Sequence, residues 1–165
     1  MTKEKKEKSK LQKLKEKYKD LKKEYNLPEF DELNKEFSIE KISDVETDFL
    51  MREIGRVMSD KFSSYLRITE MMLNPINSPI FVFSMVKAMG EDEKKKLSEA
   101  YKELTKIELN LIELDVNFSM KKQAEFIINS YKSWKEIKGY FSEVISKVKS
   151  KWDSKHENNN KAYFG

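Results

Sequence analysis

Apolar residues recur along most of this chain at alternating steps of three and four, the period of a helix face rather than of a strand. In residues 3–25, Leu11, Leu14, Tyr18, Leu21 and Tyr25 follow that rule with Lys and Glu between them. This predicts one helix with a coiled-coil-like seam of about two heptads. So short and weakly apolar a seam is not stable alone, and it must pack on another helix in its own chain or a second one. Asn26-Leu27-Pro28 breaks the pattern. Pro28 suits the first turn of a short helix that carries Phe30, Leu33 and Phe37 on one stripe.

After a connector over 38–43, a long helix is predicted over 44–73. Leu50, Ile54, Val57, Met58, Tyr65, Ile68 and Met72 share one face of it. Asn74-Pro75 ends that helix. Ser78 and Pro79 are suited to cap and start the next, PIFVFSMVKAM, with Gly90 as its C′ residue. Because this segment is apolar almost all round, it reads as a central buried helix, with a strand over 80–83 as the weaker alternative. The next helix, over 91–116, faces inward through Leu97, Tyr101, Leu104, Ile107, Leu111, Ile112 and Leu114. Ser119 then caps a last helix reaching about residue 152, with Ile127, Ser130, Trp134, Ile137, Phe141, Val144, Val148 and Trp152 as its seam. Three-four spacing sustained over more than about three heptads signals long helix–helix packing. From Ser154 the pattern stops in a polar spacer ending Ala162-Tyr163-Phe164-Gly165.

These elements predict an all-α fold: an elongated bundle of four to five main helices with coiled-coil-like terminal helices. The expected division is a Lys-rich helix (1–26), a helical bundle (27–153) and a flexible tail (154–165). Composition agrees. Charged residues make up 38% of the 165, and only 4 Gly and 3 Pro punctuate them, too few for the turns of a β-rich chain.

Composition also narrows the chemistry. The chain has no Cys and one His, His156, so disulfides, thiol catalysis, a His general base and a His/Cys zinc site are all disfavoured. No catalytic residue, metal ligand or cofactor is assigned, and no small-molecule substrate is evident. The first ten residues, MTKEKKEKSK, lack the apolar region of a secretory signal, and the longest apolar run, 80–83, is too short for a bilayer. No membrane partner is expected, and the expected location is cytoplasmic. The net charge of +4 is unevenly spread: the balance is +6 over 1–25, −7 over 26–120 and +5 over 121–165. Basic ends lying against an acidic middle is the ordinary explanation; a polyanion-binding surface is the functional one.

The runs LPEFDELNKEF, TDFLMREIGRVMSDKFSSYL and MMLNP, with the aromatic-Gly end, resemble uncharacterised small helical proteins of archaea. The resemblance covers about the middle third of the chain and includes no motif of assigned chemistry. It implies a cytosolic helical domain and nothing about mechanism.

Four constellations remain. Lys61, Glu108 and Asp115 fall on apolar stripes, which predicts a buried ion pair of Lys61 with one of the two acids; snorkelling of the lysine to the rim is the alternative. The only three arginines among 33 basic residues, Arg52, Arg56 and Arg67, lie on one helix, away from its apolar stripe. Their planar forks make a candidate anion site, against ordinary pairing with Asp48 and Asp60. Lys132, Lys135 and Lys138 accompany Tyr131, Trp134 and Tyr140, a mixture that nucleic-acid binders use, although Trp134 also belongs to the seam. Finally, Tyr163, Phe164 and the Gly165 carboxylate form a candidate docking peptide for another protein. The expected function is a non-enzymatic interaction or adaptor protein that docks through helix seams and this peptide. The alternative is an RNA- or ribosome-associated factor that uses the Lys-rich ends.

Overall fold

A capping box opens the first helix of the computed structural model, which describes residues 9–162 and, within them, side chains to Ser154. Ser9 Oγ accepts from the Gln12 N–H at 3.2 Å, and Gln12 Oε1 accepts from the Ser9 N–H at 3.1 Å. Two otherwise orphaned helix-end donors are thereby satisfied. Among the described residues the fold is all-α, with six α-helices: α1 (Lys10–Tyr25), α2 (Phe30–Phe37), α3 (Leu50–Leu73), α4 (Ile80–Ala88), α5 (Glu91–Val116) and α6 (Met120–Ala162). Short 3-10 turns occupy Ile39–Asp44 and Pro75–Asn77. No helix among the described residues is long and apolar enough to cross a membrane.

The chain forms two compact units: residues 9–61 with 110–131, and 62–109 with 132–162. In the first unit α1 packs within its own chain, on α2 and the 3-10 turn that follows it. Leu14 and Tyr18 of its seam are buried, whereas Leu11 is exposed. α1 stops because Asn26 takes the left-handed conformation at φ 55°, and α2 stops at Ser38 in the same way, at φ 54°. The Tyr18 ring meets Phe30 edge-on at 5.4 Å, and its hydroxyl donates to the Pro28 carbonyl at 2.6 Å. Tyr18→Phe is expected to cost about 1 kcal/mol, the net worth of one such bond.

Burial, and then the neighbouring Glu29 and Glu32 carboxylates, push the Tyr18 phenol well above its usual value of 10.0. Above that value the unfolded chain releases this proton and the folded chain keeps it. Stability therefore falls as pH rises past about 10, and holds below it. In alkaline urea titrations Tyr18→Phe should show a shallower loss of stability with pH than the native chain; equal slopes would contradict this placement.

α3 starts six residues later than the pattern predicts. Residues 39–44 form the 3-10 turn, and 45–49 are irregular up to Phe49, whose carbonyl accepts the N–H groups of Arg52 and Glu53. Ile39 and Ile42 are buried, so the connector expected over 38–43 is held by tertiary burial as a 3-10 turn. At the other end, Ser78 Oγ donates to the Met71 carbonyl at 3.1 Å and satisfies a terminal acceptor of α3.

In the second unit Trp134, Ile137, Phe141, Val144 and Val148 of α6 are buried as their spacing predicts, and Trp152 is not. Phe62 and Tyr65 both meet Trp134 edge-on, at 5.9 and 5.0 Å, and Tyr65 also meets Phe141 at 4.9 Å. Ser119 caps α6 through the Lys122 N–H at 3.1 Å. α6 continues to Ala162, ten residues past the predicted end, because 153–162 contain no Pro or Gly to stop a helix already propagating. The tail predicted to be flexible from 154 is thus helical to Ala162.

Gly90 also has a different role from the one expected. It is not a left-handed C′ residue but the N-terminal cap of α5. Its N–H donates to Glu93 Oε2 at 2.6 Å. That bond, followed by nearby Lys151 and Lys147, holds the Glu93 carboxyl below its ordinary range.

Candidate functional site

The largest departure from the sequence pattern is α4. Its composition predicts a buried helix, yet only Val82 and Ala88 are buried within it. Ile80 is 86% exposed, Phe81 65% and, in the preceding turn, Ile76 77%. Leu73 and Phe83 are exposed as well. Residues 71–86 contain no charged side chain, in a chain that is 38% charged. Pro75 and Pro79 set the path. Each occupies the start of a short helical element, where its missing N–H costs nothing, and together they turn the chain twice within six residues. The surface is not flat. A cleft of about 570 Å³ opens beside it, lined by Met71, Leu73, Ile76 and Tyr101 together with the polar Glu70, Asn74, Asn77 and Ser78.

The first unit has a cleft of different character, of about 440 Å³. Arg52, Arg56, Ser59, Asp115, Phe118 and Gln123 are among its lining residues. The Arg52 guanidinium lies 4.1 Å from the Phe118 ring centre and 5.7 Å from that of Phe49. Arg56 is engaged by Glu53 at 2.9 Å, with Asp60 at 3.9 Å, and the Glu53 bond raises its pKa further. Arg67 is exposed on the part of α3 that belongs to the second unit and does not line this cleft. The expected trio is therefore reduced to Arg52 and Arg56.

The expected buried ion pair needs correction. Among the described residues no charged side chain is buried. Lys61 is half-buried; its Nζ donates to the Glu36 main-chain carbonyl and lies 5.3 Å from the Phe37 ring centre. Glu108, also half-buried, accepts from Ser63 Oγ at 3.3 Å, and Asp115 is exposed at the arginine cleft. The aliphatic stem of Lys61 covers apolar surface while its ammonium finds polar partners at the rim, as the snorkelling alternative has it.

The lysines of α1 face acids of the same unit: Lys10 with Asp44 at 3.4 Å, Lys15 with Asp31 at 3.1 Å, and Lys22 with Glu29. In the second unit Lys96 pairs with Glu143, and Lys151 lies 3.7 Å from Glu93. Tyr131 is buried and its hydroxyl donates to Glu32 at 3.3 Å, so neither Tyr131 nor buried Trp134 presents a free stacking face. Tyr163, Phe164 and Gly165 lie outside the described residues. No group of three or more potential metal-ligating side chains occurs among the described residues.

No protein-family model matches this chain, and neither a curated protein nor a solved structure does.

Sequence reasoning missed Gln123, Gly55, Ser59 and Phe118. One signal was present: Gly55 is an isolated glycine inside a strong helical pattern, where it costs about 1 kcal/mol relative to Ala. A Cβ on Gly55 would lie 2.3 Å from Gln123 Nε2, so the carboxamide tip occupies the space that a side chain there would need.

Proposed function

We propose that this chain is a non-enzymatic interaction protein that docks a helix of another protein on the apolar surface of α4 and its preceding turn. The observation that carries the reading is the exposure of Ile76, Ile80 and Phe81 within a segment free of charge. Contiguous exposed apolar surface, especially with aromatics and without charges, marks the centre of a protein interface. The adjoining cleft suits an apolar anchor side chain of an amphipathic helix, and Glu70 at its wall favours a basic residue flanking that anchor. A membrane-surface role fits less well. Lys87 is the only basic residue in α4, whereas helices that lie on membranes carry a Lys/Arg-rich polar face.

The terminal Tyr163-Phe164-Gly165 peptide would add a second, weaker contact to the same or another partner, which raises affinity through effective concentration. The competing reading, an RNA- or ribosome-associated factor, draws on the Lys-rich ends. It is weakened by the ion pairs of Lys10, Lys15 and Lys22 with acids of their own unit.

The test compares partner capture by the native chain and by an Ile80→Asp, Phe81→Asp variant, with and without nuclease, from low to high salt. Capture by the native chain should resist nuclease and change little with salt, and the variant should lose it. Loss of capture on nuclease treatment, or a steep decline with salt, would instead support polyanion binding.

A further inference from the structure

We infer that the arginine cleft of the first unit is a binding site for a small monocarboxylate with an apolar body. Three observations converge on it. Gln123 is only 4% exposed, lines the cleft, and its carboxamide has no hydrogen-bond partner among the described residues. Among the described residues the one side-chain polar atom buried without a partner is Thr105 Oγ1, so the Gln123 amide is open to the cleft rather than sealed from it. Its Nε2 occupies the space that a Cβ on Gly55 would need, so the carboxamide packs against the α3 backbone at the cleft.

The second observation is Arg52. Among the described residues no carboxylate lies within ion-pairing distance of it, in contrast to Arg56. The Phe118 ring lies 4.1 Å from its guanidinium centre and steadies the planar fork, leaving its N–H donors for a ligand. The third is the composition of the walls. Ser59 adds a neutral hydroxyl donor and Gln123 a carboxamide, while Leu111 and Leu114 supply apolar surface. Converging donors against apolar walls, in a volume of about 440 Å³, are the attributes of a small-ligand site.

Charge sets the ligand class. Asp115 and Glu53 also line the cleft. They disfavour a multiply charged anion such as phosphate, whereas a single carboxylate can pair with Arg52 in a bidentate manner and direct its apolar part onto the leucines and Phe118. The site lies wholly in the first unit and the α4 surface in the second, so the two proposals stand or fall separately.

The probe is 3-phenylpropanoate, titrated into the isotope-labelled full chain, with 3-phenylpropylamine and inorganic phosphate as comparators. The carboxylate should shift amide resonances within 52–59 and 111–123, and the amine and phosphate should not. Arg52→Gln should weaken binding about tenfold or more, through loss of a charge-assisted bond. Gln123→Leu, which keeps side-chain size and removes the buried amide, should weaken binding while the chain remains folded by its amide spectrum. The inference is overturned if phosphate binds as well as the carboxylate, if Arg52→Gln binds undiminished, or if no shift appears at millimolar probe.

Discussion

Replacing Trp134 by Ala should lower unfolding free energy by about 3–5 kcal/mol, the range for removing a large aromatic from a core. The indole is 2% exposed and takes two edge-on ring contacts, from Phe62 at 5.9 Å and Tyr65 at 5.0 Å. Each such pair adds about 0.5–1.5 kcal/mol beyond area burial. Tyr65 also bridges to Phe141, so truncating the indole removes support from a ring that holds the α6 seam about two turns further on. In urea titrations the midpoint should fall with the slope preserved. Trp134→Phe should recover part of the loss, since a ring remains to meet Tyr65. A cost below about 1 kcal/mol for the alanine variant would mean that this seam is not the core of the second unit.

The Ile80→Asp, Phe81→Asp variant should behave in the opposite way. Both side chains are largely exposed, so stability should change by no more than about 0.5 kcal/mol per site, the usual range for surface changes. Binding should suffer far more. Burying an isoleucine or phenylalanine is worth about 1.5–3 kcal/mol, and placing a carboxylate in a desolvated interface adds an unpaired charge. Together the substitutions should weaken docking by at least about a hundredfold. If they lower the melting temperature by many degrees instead, Ile80 and Phe81 serve the chain's own fold and the docking proposal fails. Val82 is a useful contrast: it is buried within the same helix, and Val82→Asp should destabilise the fold itself.

The pair of predictions marks how far the sequence was legible. Along α6 the three-four spacing identifies seven of the eight seam residues correctly, because a long amphipathic helix must bury whatever stripe it has. Trp152 fails at the far end, where a periodic residue remains exposed. On α3, Leu50, Ile54, Met58 and Met72 follow the pattern, Ile68 is exposed against it, and Met51, Phe62 and Thr69 are buried outside it. A stripe drawn at fixed angular steps is narrower than the surface that neighbouring helices actually cover.

The errors share a physical origin. Periodicity and hydropathy predict a buried α4 because they report only that a segment favours an apolar environment, whether its own chain or another molecule supplies it. The sequence predicts helix over 45–49 because nothing in Val45, Phe49 and their neighbours forbids one, and the deciding term is tertiary. The stripe predicts a buried Lys61 with a carboxylate partner, whereas a four-carbon stem lets the charge leave the apolar surface. The arginine cleft was half legible: the rarity of arginine drew attention to Arg52 and Arg56, but Gln123 comes from a distant part of the chain, and only the fold brings it against Gly55.

The central claim, that the α4 surface receives another protein, is tested most directly by photo-crosslinking from position 81. Benzoylphenylalanine replaces Phe81 in the full chain, and in a control it replaces Lys149, an exposed residue of α6. Both chains are irradiated in the living cells that express them. The account predicts one discrete, heavier adduct with a second protein species from position 81, absent from position 149 and abolished by Ile80→Asp. No adduct, adducts joining only copies of this chain, or the same adducts from both positions would contradict it.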